Sequence, residues 1–272
     1  MARLIIEAGR ADRHYWADLW RYRELFWFLS WRDVLVRYKQ TAIGIAWSVI
    51  RPLVTTIVFT VVFGHWAHLD AVGAPYPVMV FAAMLPWQFF SNALTESSNA
   101  LIANSNLLTK VYFPRLIVPA SSVIVSLIDF AISLVLFAIL MGYYGLYPDW
   151  RVVFLPLFLG LAFIVSFGLG LWFAALNVRY RDFRYVVPFV VQIGFYVSPV
   201  ALSSTIVPER WRLLYSMNPM VGVIDGFRWS LLRGQSPLDM QSLGISIGVG
   251  LVVLLGAIRY FRHTERSFAD VI

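Results

Sequence analysis

The stretch from Arg32 to Gly64 constrains the chain more than any other. It opens as a basic, aromatic run around Trp31–Thr41. It passes without a break into Ala42–Leu53 and then a β-branched apolar run ending at Phe63-Gly64. A cationic surface segment is therefore joined directly to a membrane span. Lys and Arg stay preferentially on the cytoplasmic side of a bilayer, so this junction directs the first crossing outward. Every later crossing inherits its direction from that one.

The remaining residues suit such a beginning. The chain is 60% apolar and 14% charged over 272 residues, with a mean hydropathy of +0.71. That balance excludes a soluble domain of this size and predicts an all-α, polytopic membrane protein. Cysteine is absent, which excludes a disulfide framework, a thiolate metal site and a cysteine nucleophile. The net charge of +7 is read as a topology signal and not as a nucleic-acid footprint. The first 25 residues hold five arginines and no continuous apolar core, so no cleavable signal peptide is expected.

Helical spacing predicts an N-terminal amphipathic interface helix over about Asp18–Gln40. Trp20, Trp27, Trp31, Val34, Leu35 and Tyr38 share one face, while Arg21, Glu24, Arg32, Arg37 and Gln40 fall elsewhere. Such a helix belongs in the headgroup region. Six spans follow: Ala42–Trp66, one returning inward from Pro77, Leu116–Tyr143, Val152–Asn177, Tyr185–Leu202 and Leu243–Tyr260. The apolar run from Pro52 to Phe63 is too short to cross a core of about 30 Å, so the first span must include Arg51. A buried Arg faces water, a carboxylate or the headgroups by snorkelling. The second span turns polar at Asn92, Thr95, Glu96, Ser97, Ser98 and Asn99, and this inner half is expected to face water.

Asp129 sits near the middle of the third span, and Gly160, Gly168 and Gly170 form a small-residue stripe on the fourth. Pro188, Gly194 and Pro199 interrupt the fifth. Two short re-entrant helices are predicted at the outer face over about 205–233. The domain reading is a cytoplasmic N-terminus with interface helix (1–41), one transmembrane domain (42–262) and a cytoplasmic tail (263–272). This arrangement puts 16 of the 22 Lys and Arg residues inside and five outside, with Arg51 in the first span. Both termini are therefore expected in the cytoplasm.

Several chemistries have no residues to carry them. Neither lysine, Lys39 or Lys110, follows a glycine, so no Walker A motif can be matched. Acidic residues are dispersed, which removes a local aspartate-rich metal motif. His65, His68 and Asp70 are too weak a set to predict a metal site. Asp129 and Arg51 are candidates for proton coupling or for structural pairing. Trp66 and Trp150 fit an interfacial belt. Trp87 and Tyr196 sit roughly 15 Å deep, either as interhelical packing or as part of an aromatic-lined path for sugar rings.

Five segments together resemble one family. They are Arg37–Thr41, Leu85–Asn92, Asn106–Arg115, Asn177–Asp182 and Met217–Met220. From about Trp20 onward the chain resembles the permease subunit of type-2 ABC exporters for lipid-linked polysaccharide, the O-antigen exporters foremost, with capsule and teichoic-acid exporters as relatives. The resemblance implies a homodimer of six-span subunits with two separate ATPase subunits, which would hold the ATP and Mg; no cofactor is implied in this chain.

It implies ATPase contacts at Asn104, Asn106, Leu107, Thr109, Lys110, Phe113, Arg115, Arg179, Arg181 and Asp182. A substrate path would run along Trp47, Trp87, Phe89, Phe90, Phe195 and Tyr196. Beyond what the resemblance implies, lipid phosphates are expected to meet Arg32, Arg37, Lys39 or Arg51. The location implied is the bacterial inner membrane. Two other readings stay open: an exporter of drugs or small lipids, and a polyprenyl-lipid transferase.

Overall fold

The computed structural model describes residues 15–39, 44–68, 74–180, 182–265 and 268. Every regular element among them is helical. Helix α1 (Tyr15–Arg21) and α2 (Arg23–Lys39) form one rod with a single turn residue, Tyr22, between them. The chain is already helical at Tyr15, three residues before the expected Asp18. Its inward face is Leu19, Tyr22, Leu25, Phe26 and Leu29, packed on the core. Trp16, Trp20, Trp27, Trp31 and Leu35 are exposed on another face. The interface helix thus carries two apolar faces, one for the bundle and one left outside.

The first span is α3 (Gly44–Phe59), which widens into a π-helical segment, Thr60–Trp66. Beyond it, α4 (Tyr76–Ala103) is the most enclosed of the long helices, flanked by α6 (Ile117–Tyr143) and α7 (Leu155–Arg179). The short α5 (Ser105–Lys110) links α4 to α6, and α11 (Met240–Glu265) packs on the far side of α7. Small residues permit these contacts. A methyl on Gly170 would lie 2.7 Å from Ser97 of α4, and one on Gly168 would lie 3.0 Å from the Leu254 backbone of α11. Gly160 has nothing within 4 Å, so the stripe serves two neighbours through two of its members.

The inner half of α4 does not face water throughout. Ser97 and Ser98 are fully buried against α7, where the Asn177 amide donates to the Ser98 carbonyl at 2.9 Å. Gln88 and Asn92 turn instead toward a cavity. Polarity on this helix therefore serves packing on one face and an opening on the other.

Among the described residues, five helices are long and apolar enough to cross a membrane, and α8 (Phe183–Val197) is a sixth, shorter apolar helix. It ends early because Pro199 disfavours helical backbone at the residue before it. The chain still travels the length of α4. Asn177, just before α8, bonds beside Ser98, while Ala201, just after it, accepts from the Tyr76 hydroxyl at 2.9 Å. Those anchors lie roughly 30 Å apart along α4 at helical rise.

Two short helices follow, α9 (Glu209–Ser216) and α10 (Pro219–Leu231), as expected, but they differ sharply. Helix α9 is exposed, whereas α10 is almost wholly buried between α4, α7 and α11. Asn218 starts α10 by accepting from the Met220 amide at 3.0 Å, with Pro219 in the first turn. Gly222 and Gly226, one turn apart, meet Ser246 of α11 and Phe158 of α7 so closely that a methyl at either would overlap them.

Arg228, one of the five basic residues that the sequence assigns to outer segments, is fully buried. It donates to the carbonyls of Met79, Val200 and Leu202 at 3.3, 2.8 and 3.0 Å. Broken backbone at membrane depth needs partners from protein, and this guanidinium supplies them.

Candidate functional site

Four helices enclose a cavity of about 210 Å³. Trp47, Ser48, Arg51 and Pro52 come from one face of α3, and Leu85, Gln88, Phe89 and Asn92 from one face of α4. Asp129, Phe130 and Ser133 of α6 and Arg37 of α2 complete the wall. Arg51 and Trp47 are exposed at its edge.

An ion network closes one side. Arg37 reaches Asp129 at 2.7 Å and Glu96 at 3.0 Å. The other Asp129 oxygen accepts from the Tyr38 hydroxyl at 2.7 Å and the Ser48 hydroxyl at 2.6 Å. One buried carboxylate thus ties α2 and α3 to α6. Burial, followed by the bond to Asp129, pushes the Tyr38 phenol well above its ordinary range, so it remains a neutral donor. Of the two intramembrane candidates left open by sequence, Asp129 is paired structurally, and its partner is Arg37.

A second cluster gathers at the end of the bundle where the described chain begins and ends. The Glu265 carboxylate accepts from the Tyr15 hydroxyl at 3.0 Å and the Arg115 amide at 2.7 Å. The Arg115 guanidinium returns to the Glu265 carbonyl at 2.7 Å. Arg262 lies over the Tyr15 ring at 4.7 Å. Nearby, Arg32 bonds Asp33 and the Asn104 side chain, both at 2.7 Å. Both ends of the segment Asn104–Arg115 are therefore fastened, one to α2 and the other to α11.

These positions sort the expected site residues. Asn106, Thr109, Lys110, Arg179 and Asp182 are exposed. Leu107 is half-buried, Phe113 is buried, and Asn104 and Arg115 are committed to the clamps above. Arg181 lies outside the described residues. Among the expected phosphate contacts, Arg32 and Arg37 are engaged by carboxylates, Lys39 is exposed, and Arg51 borders the cavity.

Along the expected path, Trp47 and Tyr196 are exposed and Phe195 is half-buried. Trp87, Phe89 and Phe90 are covered within the single subunit. Trp87 packs on Phe90, Phe195 and Gly194, and Phe89 on Phe130. Glu265 and Arg228 escape sequence reasoning as anchors: the partners of Glu265 lie 250 and 150 residues away, and Arg228 joins a carbonyl 149 residues away to two at 26 and 28.

Comparisons with known proteins bear on this geometry. Residues 24–232 match the family described as ABC-2 type transporter. The chain is 30% identical over 257 residues to an O-antigen export system permease protein of Myxococcus xanthus, covering 94% of this chain and 98% of that protein. A Klebsiella pneumoniae protein of the same description is 26% identical over 242 residues, covering 89% and 92%. A polysialic acid transport protein of Escherichia coli is 23% identical over 241 residues, covering 87% and 92%.

Proposed function

Since the chain belongs to the ABC-2 type transporter family, a family that implies an ABC ATPase partner, we propose that it is the permease subunit of an exporter of lipid-linked polysaccharide. The observation that carries this reading is similarity running almost end to end with relatives named for O-antigen export. Two copies form the membrane channel, and two ATPase subunits hold the ATP and Mg. The cargo is a polyprenyl-diphosphate-linked glycan, an O-antigen or a related capsule or teichoic-acid chain. The protein sits in the bacterial inner membrane with both termini in the cytoplasm, an orientation supported by the excess of Lys and Arg near the Tyr15–Glu265 end.

In this mechanism the ATPase presses on α5 and on the exposed Arg179 and Asp182. The clamps at Asn104 and Arg115 pass that motion to α2 and α11. Motion of α2 then moves Arg37 against Asp129 and Glu96 beside the cavity. The test is reconstitution of this chain with its ATPase in proteoliposomes. Hydrolysis stimulated by a polyprenyl-diphosphate glycan and not by small amphiphiles is expected. Stimulation by amphiphiles alone would replace this reading with drug or lipid export. Glycosyl transfer by the isolated chain would make it a transferase.

A further inference from the structure

Many polar side chains in this bundle are satisfied by the backbone, although the hydroxyls of Thr56, Ser97 and Ser126 are buried without a partner among the described residues. Thr95, Ser98, Ser121 and Ser122 each donate to a carbonyl of their own helix, and Asn177 donates to α4. The cavity beside the Arg37–Asp129 pair differs in gathering several unpartnered polar groups in one place. Arg51, Gln88, Asn92 and Ser133 all line it, and none has a side-chain hydrogen bond or ion pair among the described residues. Four polar groups from three helices, converging on one half-open space without a protein partner, form a site where a ligand with matching groups replaces water.

Charge and size narrow the chemistry. Arg37 faces Asp129 and Glu96, and the remaining Asp129 oxygen takes two hydroxyl donors, so the acidic groups are already answered. Arg51 is the cation left at the opening, and it suits a phosphate oxygen. Gln88, Asn92 and Ser133 offer neutral donors and acceptors, the complement of sugar hydroxyls. The exposed indole of Trp47, one turn before Arg51, offers an apolar face for a sugar ring. A space of about 210 Å³ holds one ring and not a chain, since drug-sized pockets begin at roughly 300 Å³. Arg51 lies little more than one turn inside the apolar run Ala46–Trp66, within side-chain reach of a headgroup phosphate.

We infer that this cavity receives the sugar-phosphate junction of the exported lipid, with a phosphate on Arg51 and the first sugar against Gln88, Asn92, Ser133 and Trp47. The inference rests on the exporter reading for its source of glycosyl phosphate. A bulk phospholipid would supply the same phosphate without the sugar ring that the neutral groups require.

The experiment measures binding to the purified full-length protein in nanodiscs. The probes are a short-chain polyprenyl diphosphate bearing one hexose, the same diphosphate without sugar, and phosphatidylglycerol as competitor. The hexose-bearing lipid is expected to bind about 10-fold more tightly than the sugar-free one. Arg51→Gln is expected to weaken both diphosphates about 10-fold. Asn92→Leu keeps the branched shape without the polar atoms and is expected to erase only the preference for sugar. Gln88→Leu is a second variant of the same kind if Asn92→Leu melts early.

Equal binding of the two diphosphates, or equal competition by phosphatidylglycerol, would overturn the assignment. So would unchanged binding in Arg51→Gln and Asn92→Leu. Undiminished glycan export by Arg51→Gln would remove this cavity's role and leave the exporter reading standing. A wild-type complex indifferent to glycan lipids would remove the exporter reading itself.

Discussion

The Arg32 guanidinium donates to the Asn104 side-chain oxygen at 2.7 Å, tying the helix before the first span to the turn that ends the second. Seventy-two residues separate the two along the chain. Through this bond the exposed α5 and the cavity-lining Arg37 belong to one mechanical unit, because both sit on or beside α2.

Breaking that bond tests the route of coupling. Arg32→Ala removes a partly exposed interaction, so thermal stability should fall by about 1 kcal/mol at most. Glycan-stimulated ATP hydrolysis in the reconstituted complex should fall about 5-fold or more, the lower range for allosteric coupling. Basal hydrolysis should persist. Unchanged stimulation would show that force reaches the cavity by another path.

Asp129 is the joint between α2, α3 and α6, and its loss should be felt in folding. Asp129→Ala is expected to cost about 2–3 kcal/mol, below the roughly 3–5 of a fully buried pair because Arg37 keeps Glu96. Asp129→Asn retains an acceptor for Tyr38 and Ser48 and should cost less. Adding Arg37→Gln to Asp129→Ala should cost less than Arg37→Gln does alone. Melting curves of all four proteins in one detergent check the cycle.

Arg228 holds the backbone after α8 closed. Arg228→Met would fill much of the space while leaving the carbonyls of Met79, Val200 and Leu202 without their donor. An expected cost of about 3 kcal/mol or more follows from unpaired buried carbonyls. Limited proteolysis should then cut within 198–207 faster than in the parent protein. Arg228→Lys should fall between, since one ammonium cannot match the reach of the fork.

The glycines of α7 make opposite forecasts from one sequence motif. Gly170→Ala would place a methyl 2.7 Å from Ser97, and Gly160→Ala would meet nothing within 4 Å. The first should destabilise by about 1–3 kcal/mol through overpacking against α4. The second should stay within about 0.5 kcal/mol. Thermal melts of the two single variants decide it.

The positions of the spans were legible because apolar run length and helical period are local properties, although α8 stops at Val197 and not Leu202, and α11 reaches Glu265 and not Tyr260. Trp66 as the end of the first span and Tyr143 as the end of the third were read correctly. The two short helices after α8 were legible from Pro and Gly punctuation, but their burial was not. Nothing in the wording of Pro219–Leu231 separates an outer surface helix from one enclosed by three others. Aromatics deceived for the same reason: Trp87 and Tyr196 have similar expected depth, yet one is covered and the other open.

By itself the sequence determined the class of fold, the approximate spans and the bias of positive charge, because each depends on residues adjacent along the chain and on the bilayer as solvent. Tertiary structure alone decided that Arg37 and not Arg51 pairs with Asp129, that Glu265 fastens Arg115, and that Arg228 serves the break after α8. Those choices depend on which distant helices meet and at what height. Hydrophobic length specifies that a helix crosses, but only side-chain fit between helices specifies its neighbours and its register against them.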